Sequence, residues 1–278
     1  MCNELCTNGF NISKTMKKEI KQIKTIDNKE YVQLTFPDER WYVRGTIDEL
    51  NGKLENEFVP SVSWISGFYP KGIAFYKWLA DKGWNEAEAL KSSAGNKGSK
   101  IHQAIEDLLK GKEVKMDEKF LNKETLQEEE LTVDEYEAIM SFVDWYNETN
   151  PEIVGTEQVV FNDEYGYAGT VDLICRIGDQ LYIIDFKTGQ SIWPEYELQI
   201  SAYKHAVNLS EDIKLAILQV GYRKNKKLFK FTEIEDKFDL FLSAKNIWQN
   251  ECANIKPKQK DYPTSLKVVV NKKKEIKK

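Results

Sequence analysis

Apolar and β-branched residues recur at two different spacings along this chain, and the change of spacing divides it. From residue 151 onward, short apolar runs of strand length dominate: Gln158 to Phe161, Gly169 to Cys175 and Leu181 to Phe186 are predicted as successive strands. A loop containing Pro194 leads to a predicted helix from Glu195 to Val207. Strands over Leu215 to Tyr222 and Leu228 to Thr232 follow, then a helix from Phe238 to Trp248. Three strands, a helix, two strands and a terminal helix predict an α/β core with a mixed central β-sheet flanked by helices.

Upstream the spacing is mostly helical. Residues 1–28 are polar and lysine-rich and read as a helix or loose arm, and Tyr31 to Phe36 and Trp41 to Thr46 read as a hairpin around Pro37-Asp38-Glu39. A helical region starts at Pro60-Ser61-Val62-Ser63, is interrupted at Pro70, and resumes over Ile73 to Leu79. Helical composition returns at Glu86, breaks near Gly95 and Gly98, and continues as a strong helix to Leu109. Residues 111–133 read as an acidic connection, followed by a helix from Asp134 to Tyr146 with Ile139, Phe142 and Val143 on its apolar face. The expected units are an arm with a β-hairpin (1–59), a helical region (60–150), an α/β core (151–253) and a basic tail (254–278).

At 278 residues, 41% apolar and 12% aromatic, the chain can bury a sizeable core. No apolar run approaches the roughly 18 residues of a membrane span, and no secretory pattern opens the chain. An intracellular protein without membrane partners is expected. Cys2, Cys6, Cys175 and Cys252 form no Cys-x-x-Cys pair, which argues against a zinc or disulfide scaffold. The net charge of -5 is uneven. Glu106 to Glu137 holds 12 acidic and 5 basic residues, and residues 254–278 hold 9 lysines against Asp261 and Glu275. The charge excludes a wholly basic nucleic-acid coat and leaves room for a local basic path.

The candidate chemistry lies in Gly169-Thr170-Val171-Asp172 and Asp185-Phe186-Lys187-Thr188-Gly189. Asp185 and Lys187, two apart on a strand, project from one face while Phe186 faces the other. Asp172 brings a second carboxylate from the preceding strand. Two carboxylates at short range repel, and a divalent cation with a preference for oxygen removes that penalty. Mg²⁺ or Mn²⁺, one ion or two, would be held by Asp172, Asp185 and the backbone carbonyl of Phe186. Lys187 would hold or help deprotonate an attacking water, or stabilise charge on a phosphate. Gly169 would leave room for a backbone or phosphate to approach. The bland reading is a surface Asp–Lys pair, against which the apolar flanks of both strands speak. Gly45-Thr46-Ile47-Asp48 repeats the first motif without a following Asp-x-Lys, so Asp48 is read as a turn residue.

His102 lies beside the stripe Ile101, Ile105 and Leu108, with Glu106 one turn on. It is a candidate further metal ligand oriented by Glu106, or a helix-boundary residue. His205, among Ala202, Ala206 and Val207, reads as packing.

Together these segments resemble the PD-(D/E)XK nuclease superfamily, in the branch around RecB-type nuclease domains, phage exonucleases and the mitochondrial genome maintenance exonuclease. The matching elements are GSKIH with Glu106, the Glu157 strand in TEQVVF, GYAGTVDL, IIDFKTG and QISAY, with PSVSWISGFYPKGIAFYKWLADKG upstream. The resemblance implies a restriction-endonuclease-like core with an N-terminal helical element. It also implies metal-binding His102, Asp172 and Asp185, a catalytic Lys187, and Glu157, Thr188, Gln199 and Tyr203 in support. Relatives with an iron–sulfur cluster use one upstream cysteine and a C-terminal trio; with Cys252 alone near this C-terminus no such cluster is expected. No Walker A sequence is present, so no ATP site is expected.

The implied activity is Mg²⁺- or Mn²⁺-dependent DNA hydrolysis, as an exonuclease on single-stranded or processed ends. A structure-selective endonuclease and a non-catalytic DNA-binding module are the alternatives. Candidate DNA contacts are Trp64, Tyr69, Lys71 and Lys77 in the aromatic segment, Lys97 and Lys100 before His102, and Arg223, Lys224, Lys226 and Lys227 in a basic turn. The setting implied is the cytoplasm of a bacterium or phage-infected cell, with a recombination or replication protein as a partner.

Overall fold

The computed structural model describes residues 19–25, 29–35, 40–47, 58–122, 125, 127–207, 209, 212–252, 255 and 257. The turn at Pro37-Asp38-Glu39, Asp48 and the tail from residue 258 lie outside the described residues. A five-stranded sheet forms the centre, with β7 (Glu152–Asn162), β8 (Tyr167–Ile177), β9 (Gln180–Lys187), β10 (Ile213–Val220) and β11 (Phe229–Ile234) in the order β11-β10-β9-β8-β7. β9 and β10 run parallel and the other neighbours antiparallel, so the sheet is mixed as its element order predicts. Gly178, at φ +60, sits in the two-residue turn that joins β8 to β9. Parallel β9 and β10 need a crossover, which α5 (Pro194–Lys204) supplies, starting on a proline whose missing N–H costs the helix nothing.

Side chains on β9 alternate between two cores. Leu181 and Ile183 pack on one face with α1 (Val62–Ser66), α5 and α6 (Phe238–Cys252). Tyr182, Ile184 and Phe186 pack on the other with α3 (Trp84–Leu109) and α4 (Val133–Thr149). A capping box starts α4: the Glu135 N–H donates to Thr132 Oγ1 and the Thr132 N–H to Glu135. On α4 Ile139 and Phe142 are buried as expected, whereas Val143 points out to solvent. No helix among the described residues is long and apolar enough to cross a membrane.

Three local expectations change. Glu19–Lys24 is a strand, β1, at the edge of a second sheet with β2 (Glu30–Thr35), β3 (Arg40–Arg44) and β4 (Val59–Pro60). Its lysine-rich composition suits an edge that must not pair with other chains. Val32, Leu34 and Trp41 of this sheet enter the α1/α5/α6 core, so it is built into the molecule. The acidic connection contains a short hairpin, β5 (Lys119–Leu121) with β6 (Glu128–Glu130), anchored by buried Phe120. The third change is at Gly95 and Gly98, where α3 runs through without a break. Each interior glycine costs about 1 kcal/mol relative to alanine, and both border the cavity described below.

Candidate active site

The β8–β9 ladder ends at Leu173 opposite Ile184, and one step further along that register come Asp172 and Asp185. There β9 stays paired with β10, Ile217 opposite Asp185. The Phe186 N–H instead donates to Asp172 Oδ2 at 2.8 Å. A side chain thus continues what the backbone ladder leaves off, and the two carboxylates come to one strand end. Asp185 is 1% exposed, and its Oδ2 lies 2.5 Å from Lys187 Nζ. That approach is not aligned as a hydrogen bond, so Oδ2 remains a buried acceptor without one.

The two acids are held differently. Burial lifts the Asp185 carboxyl to about 6; Lys187 pulls it down, Asp172 pushes it further up. Burial also acts against ionised Asp172, but His102, Lys187 and the Phe186 N–H outweigh it and hold that carboxyl below its ordinary range. For Lys187, burial opposes the charge and the two aspartates more than restore it, so its pKa rises. Lys187 is therefore an ammonium at neutral pH, able to donate hydrogen bonds and stabilise negative charge. As an ammonium it holds no lone pair.

From α5, Gln199 Oε1 faces Lys187 Nζ at 3.5 Å and Gln199 Nε2 donates to the Tyr203 hydroxyl at 2.7 Å. Tyr196 places its ring under the same ammonium, 4.7 Å from its centroid. Gly169 borders the cavity described below, and a Cβ there would stand 2.5 Å from Tyr203 Cε1 and 3.2 Å from Val62 Cγ2. The glycine seats the tyrosine ring against β8.

His102 reaches the strand end from α3, its Nδ1 3.6 Å from Asp172 Oδ2, longer than a hydrogen bond, and its ring edge-on to Phe186. Burial works against its imidazolium, yet Asp172 outweighs it and raises the pKa. Metal ligation would require that proton to leave. Asp172, not Glu106, is the carboxylate against the ring: Glu106 lines the cavity and pairs with Lys110. Glu157 stands at φ +49, in the left-handed region that a residue with a Cβ avoids. Burial first, then Asp172 and Glu106, raise its carboxyl to about 7. Thr188 follows the lysine, its Oγ1 3.7 Å from where a Gly98 Cβ would be. His205 stacks on Phe238 and meets Asp236 at 2.9 Å, a packing role.

A cavity of about 770 Å³ joins these groups, bordered by His102, Glu106, Glu157, Asp172, Asp185, Lys187, Gln199 and Tyr203. It is also bordered by Ser61 and Ser63 at α1 and Thr170, within motifs singled out above, and by Arg40 and Tyr42 of β3, which carry no sequence signal. Nothing in the local spacing of Arg40-Trp41-Tyr42 marks it as part of a site; only the packing of the second sheet brings it there.

Several residues expected to contact DNA have partners within the protein. Trp64 packs edge-on between Trp41 and Trp248, at 5.1 and 5.4 Å, and Tyr69 packs on the same core. Lys100 is buried in an ion pair with Glu135 at 2.9 Å, because α3 must neutralise the α4 capping box it crosses. Lys71 pairs with Glu195, Lys227 with Glu148, and both Lys97 and Arg223 with Asp134. Lys77, Lys224 and Lys226 are exposed. α2 (Ile73–Lys82) buries no residue and leaves Ile73, Tyr76 and Trp78 facing solvent.

The donors suit a hard divalent cation in kind: two carboxylates, an imidazole and the Phe186 carbonyl at one strand end, with Asp185 Oδ2 buried and without a hydrogen bond. Among the described residues no three His, Cys, Asp or Glu side chains converge as a ready-made metal cage. As the side chains stand, the Lys187 ammonium balances the acids.

A sequence model of the PD-(D/E)XK nuclease superfamily matches residues 74–265. Among solved structures, an alkaline exonuclease from Laribacter hongkongensis is similar at 12% identity and a TM-score of 0.36, over 75% of this chain and 91% of that one. That likeness is too slight to argue from. No curated protein matches the chain.

Proposed function

This chain belongs to the PD-(D/E)XK nuclease superfamily, and from that premise we propose that it is a Mg²⁺- or Mn²⁺-dependent DNA exonuclease of the RecB-type and phage exonuclease branch. The observation that carries this is the meeting of Asp172, Asp185 and Lys187 at one buried strand end that opens into the cavity.

Asp172, Asp185, the Phe186 carbonyl and His102 in its neutral form would hold one or two ions. A divalent cation there supplies charge neutralisation of the phosphate and a more acidic water. Lys187 Nζ donates to the attacking water and to the phosphoryl oxygen on which charge develops, steadied by Gln199 Oε1. Glu157 borders the same cavity and its carboxyl binds a proton near neutral pH, which supports a role in accepting the proton the water releases. Water attacks phosphorus, the bond to the 3′-oxygen breaks, that oxygen takes a proton from solvent, Glu157 returns its proton to solvent, and a 5′-phosphate and a 3′-hydroxyl result. The setting is the cytoplasm of a bacterial or phage-infected cell, where recombination and repair expose DNA ends.

A substrate panel tests the reading. Labelled linear DNA is expected to release short products in Mg²⁺ or Mn²⁺, with closed circular single strands left intact. Efficient cutting of the circle would make the protein an endonuclease, and binding without cleavage would make it a DNA-binding module.

A further inference from the structure

Of the side chains that border the cavity, Arg40 and Lys187 carry fixed positive charge, against the four carboxylates of Glu106, Glu157, Asp172 and Asp185. Lys187 is engaged with Asp185. Arg40 is half-buried, and among the described residues no carboxylate closes an ion pair with it. The Tyr42 phenol and, from further off, Glu157 favour its charge. Three cations of the surrounding helices and turns are paired, Lys71 with Glu195, Lys100 with Glu135 and Arg223 with Asp134. Burial opposes the Arg40 charge, yet Tyr42 and Glu157 outweigh it and the guanidinium stays charged. Among the described residues no carboxylate holds its N–H donors, and an anion entering the cavity can take them.

The mounting is rigid. Tyr42 is fully buried, and its hydroxyl lies 3.3 Å from Thr170 Oγ1 on β8, two residues before Asp172. Trp41, between Arg40 and Tyr42, is locked edge-on against Trp64 and Trp248. Arg40 is therefore held in register with the catalytic strand, although it lies outside residues 74–265 that match the superfamily. A planar guanidinium presents paired N–H donors that match two oxygens of one phosphate.

We propose that Arg40 binds a DNA phosphate flanking the scissile one, so that the N-terminal sheet forms part of the substrate site. This rests on the nuclease reading above. A strand lying from Lys187 toward Arg40 has its reacting phosphate at the paired aspartates and a neighbouring phosphate on the guanidinium. The bland alternative is that Arg40 serves only to offset the charge of Glu157.

The test uses the full chain with labelled single strands that carry one uncharged methylphosphonate at each linkage flanking the cleaved one. Arg40→Gln is expected to raise KM tenfold or more while kcat stays within threefold, with Arg40→Lys intermediate. At one flanking linkage the methylphosphonate should slow the parent by a similar factor and leave Arg40→Gln unaffected. Losses that multiply at every linkage would overturn the proposal. So would an Arg40→Gln effect that disappears in a Glu157→Gln background. Should Arg40→Gln fail to fold, Arg40→Lys carries the same scan with the same two outcomes. A parent that cuts no DNA would sink the nuclease reading itself, whereas an active parent with multiplied losses sinks only the role of Arg40.

Discussion

Asp172 binds the Phe186 N–H with the same carboxylate that faces His102, so one side chain serves the fold and the chemistry together. Asp172→Asn keeps an acceptor for that N–H and is expected to remain within about 1 kcal/mol of the parent, while DNA cleavage falls roughly 10²–10⁴-fold. Near-parental turnover by the folded variant would refute the assignment. Lys187→Met is expected to lose cleavage on a similar scale while still binding Mn²⁺ in calorimetry; lost Mn²⁺ binding would mean that the lysine shapes the ion site. Glu157 gives a pH test. Its carboxyl, lifted to about 7 in the folded chain, holds a proton that the unfolded chain has already released. Without divalent ions, stability therefore falls as pH rises from the ordinary glutamate range through about 7. Glu157→Gln cannot ionise and should be more stable than the parent at pH 8 in EDTA, by on the order of 1–3 kcal/mol, with the gap closing below about pH 4.5. Equal melting curves at both pH values would remove Glu157 from this role. Asp185 and Lys187 were legible because strand period fixes which residues share a face, and Asp172 because it sits in the preceding strand, whereas Gln199 and Tyr203 were named only through the family resemblance. The strain at Glu157 and the orientation of Arg40 depend on packing between distant segments and left no local mark.

At the scale of elements, glycines were the least legible letters. A glycine says that a Cβ is excluded, not what excludes it. At Gly169 the excluded space holds the Tyr203 ring; at Gly95 and Gly98 the glycines border the cavity while α3 continues. Gly169→Ala is expected to cost about 1–3 kcal/mol in chemical denaturation and to slow cleavage by pushing Tyr203 away from Gln199. Parental stability with parental activity would show that the ring has slack. The long helices and the five central strands followed from period and from the Pro194 start, with ends shifted by a few residues. β1, β5 and β6 did not, because lysine-rich and glutamate-rich segments lack an apolar face, and their pairing is set by partners elsewhere in the chain.

In the whole molecule, the two helical layers cover opposite faces of one mixed sheet, and His102 from one layer meets Gln199 and Tyr203 from the other at its open strand ends. The N-terminal sheet closes the far wall of that cavity with Arg40 and Tyr42. Four carboxylates around so small a space repel a polyanion until a cation enters, so DNA cleavage should depend on both. The mixed sheet was legible from element order, but the second sheet's share in the cavity was not, since nothing near Arg40 in sequence points toward Asp172. The most direct measurement is release of labelled nucleotides from a linear DNA end by the full chain in Mg²⁺, in Mn²⁺ and in EDTA, beside a folded Asp185→Ala variant. Cleavage by the parent in either metal, none in EDTA and none by the variant is the expected result. Cleavage that persists in EDTA or in Asp185→Ala would contradict the account.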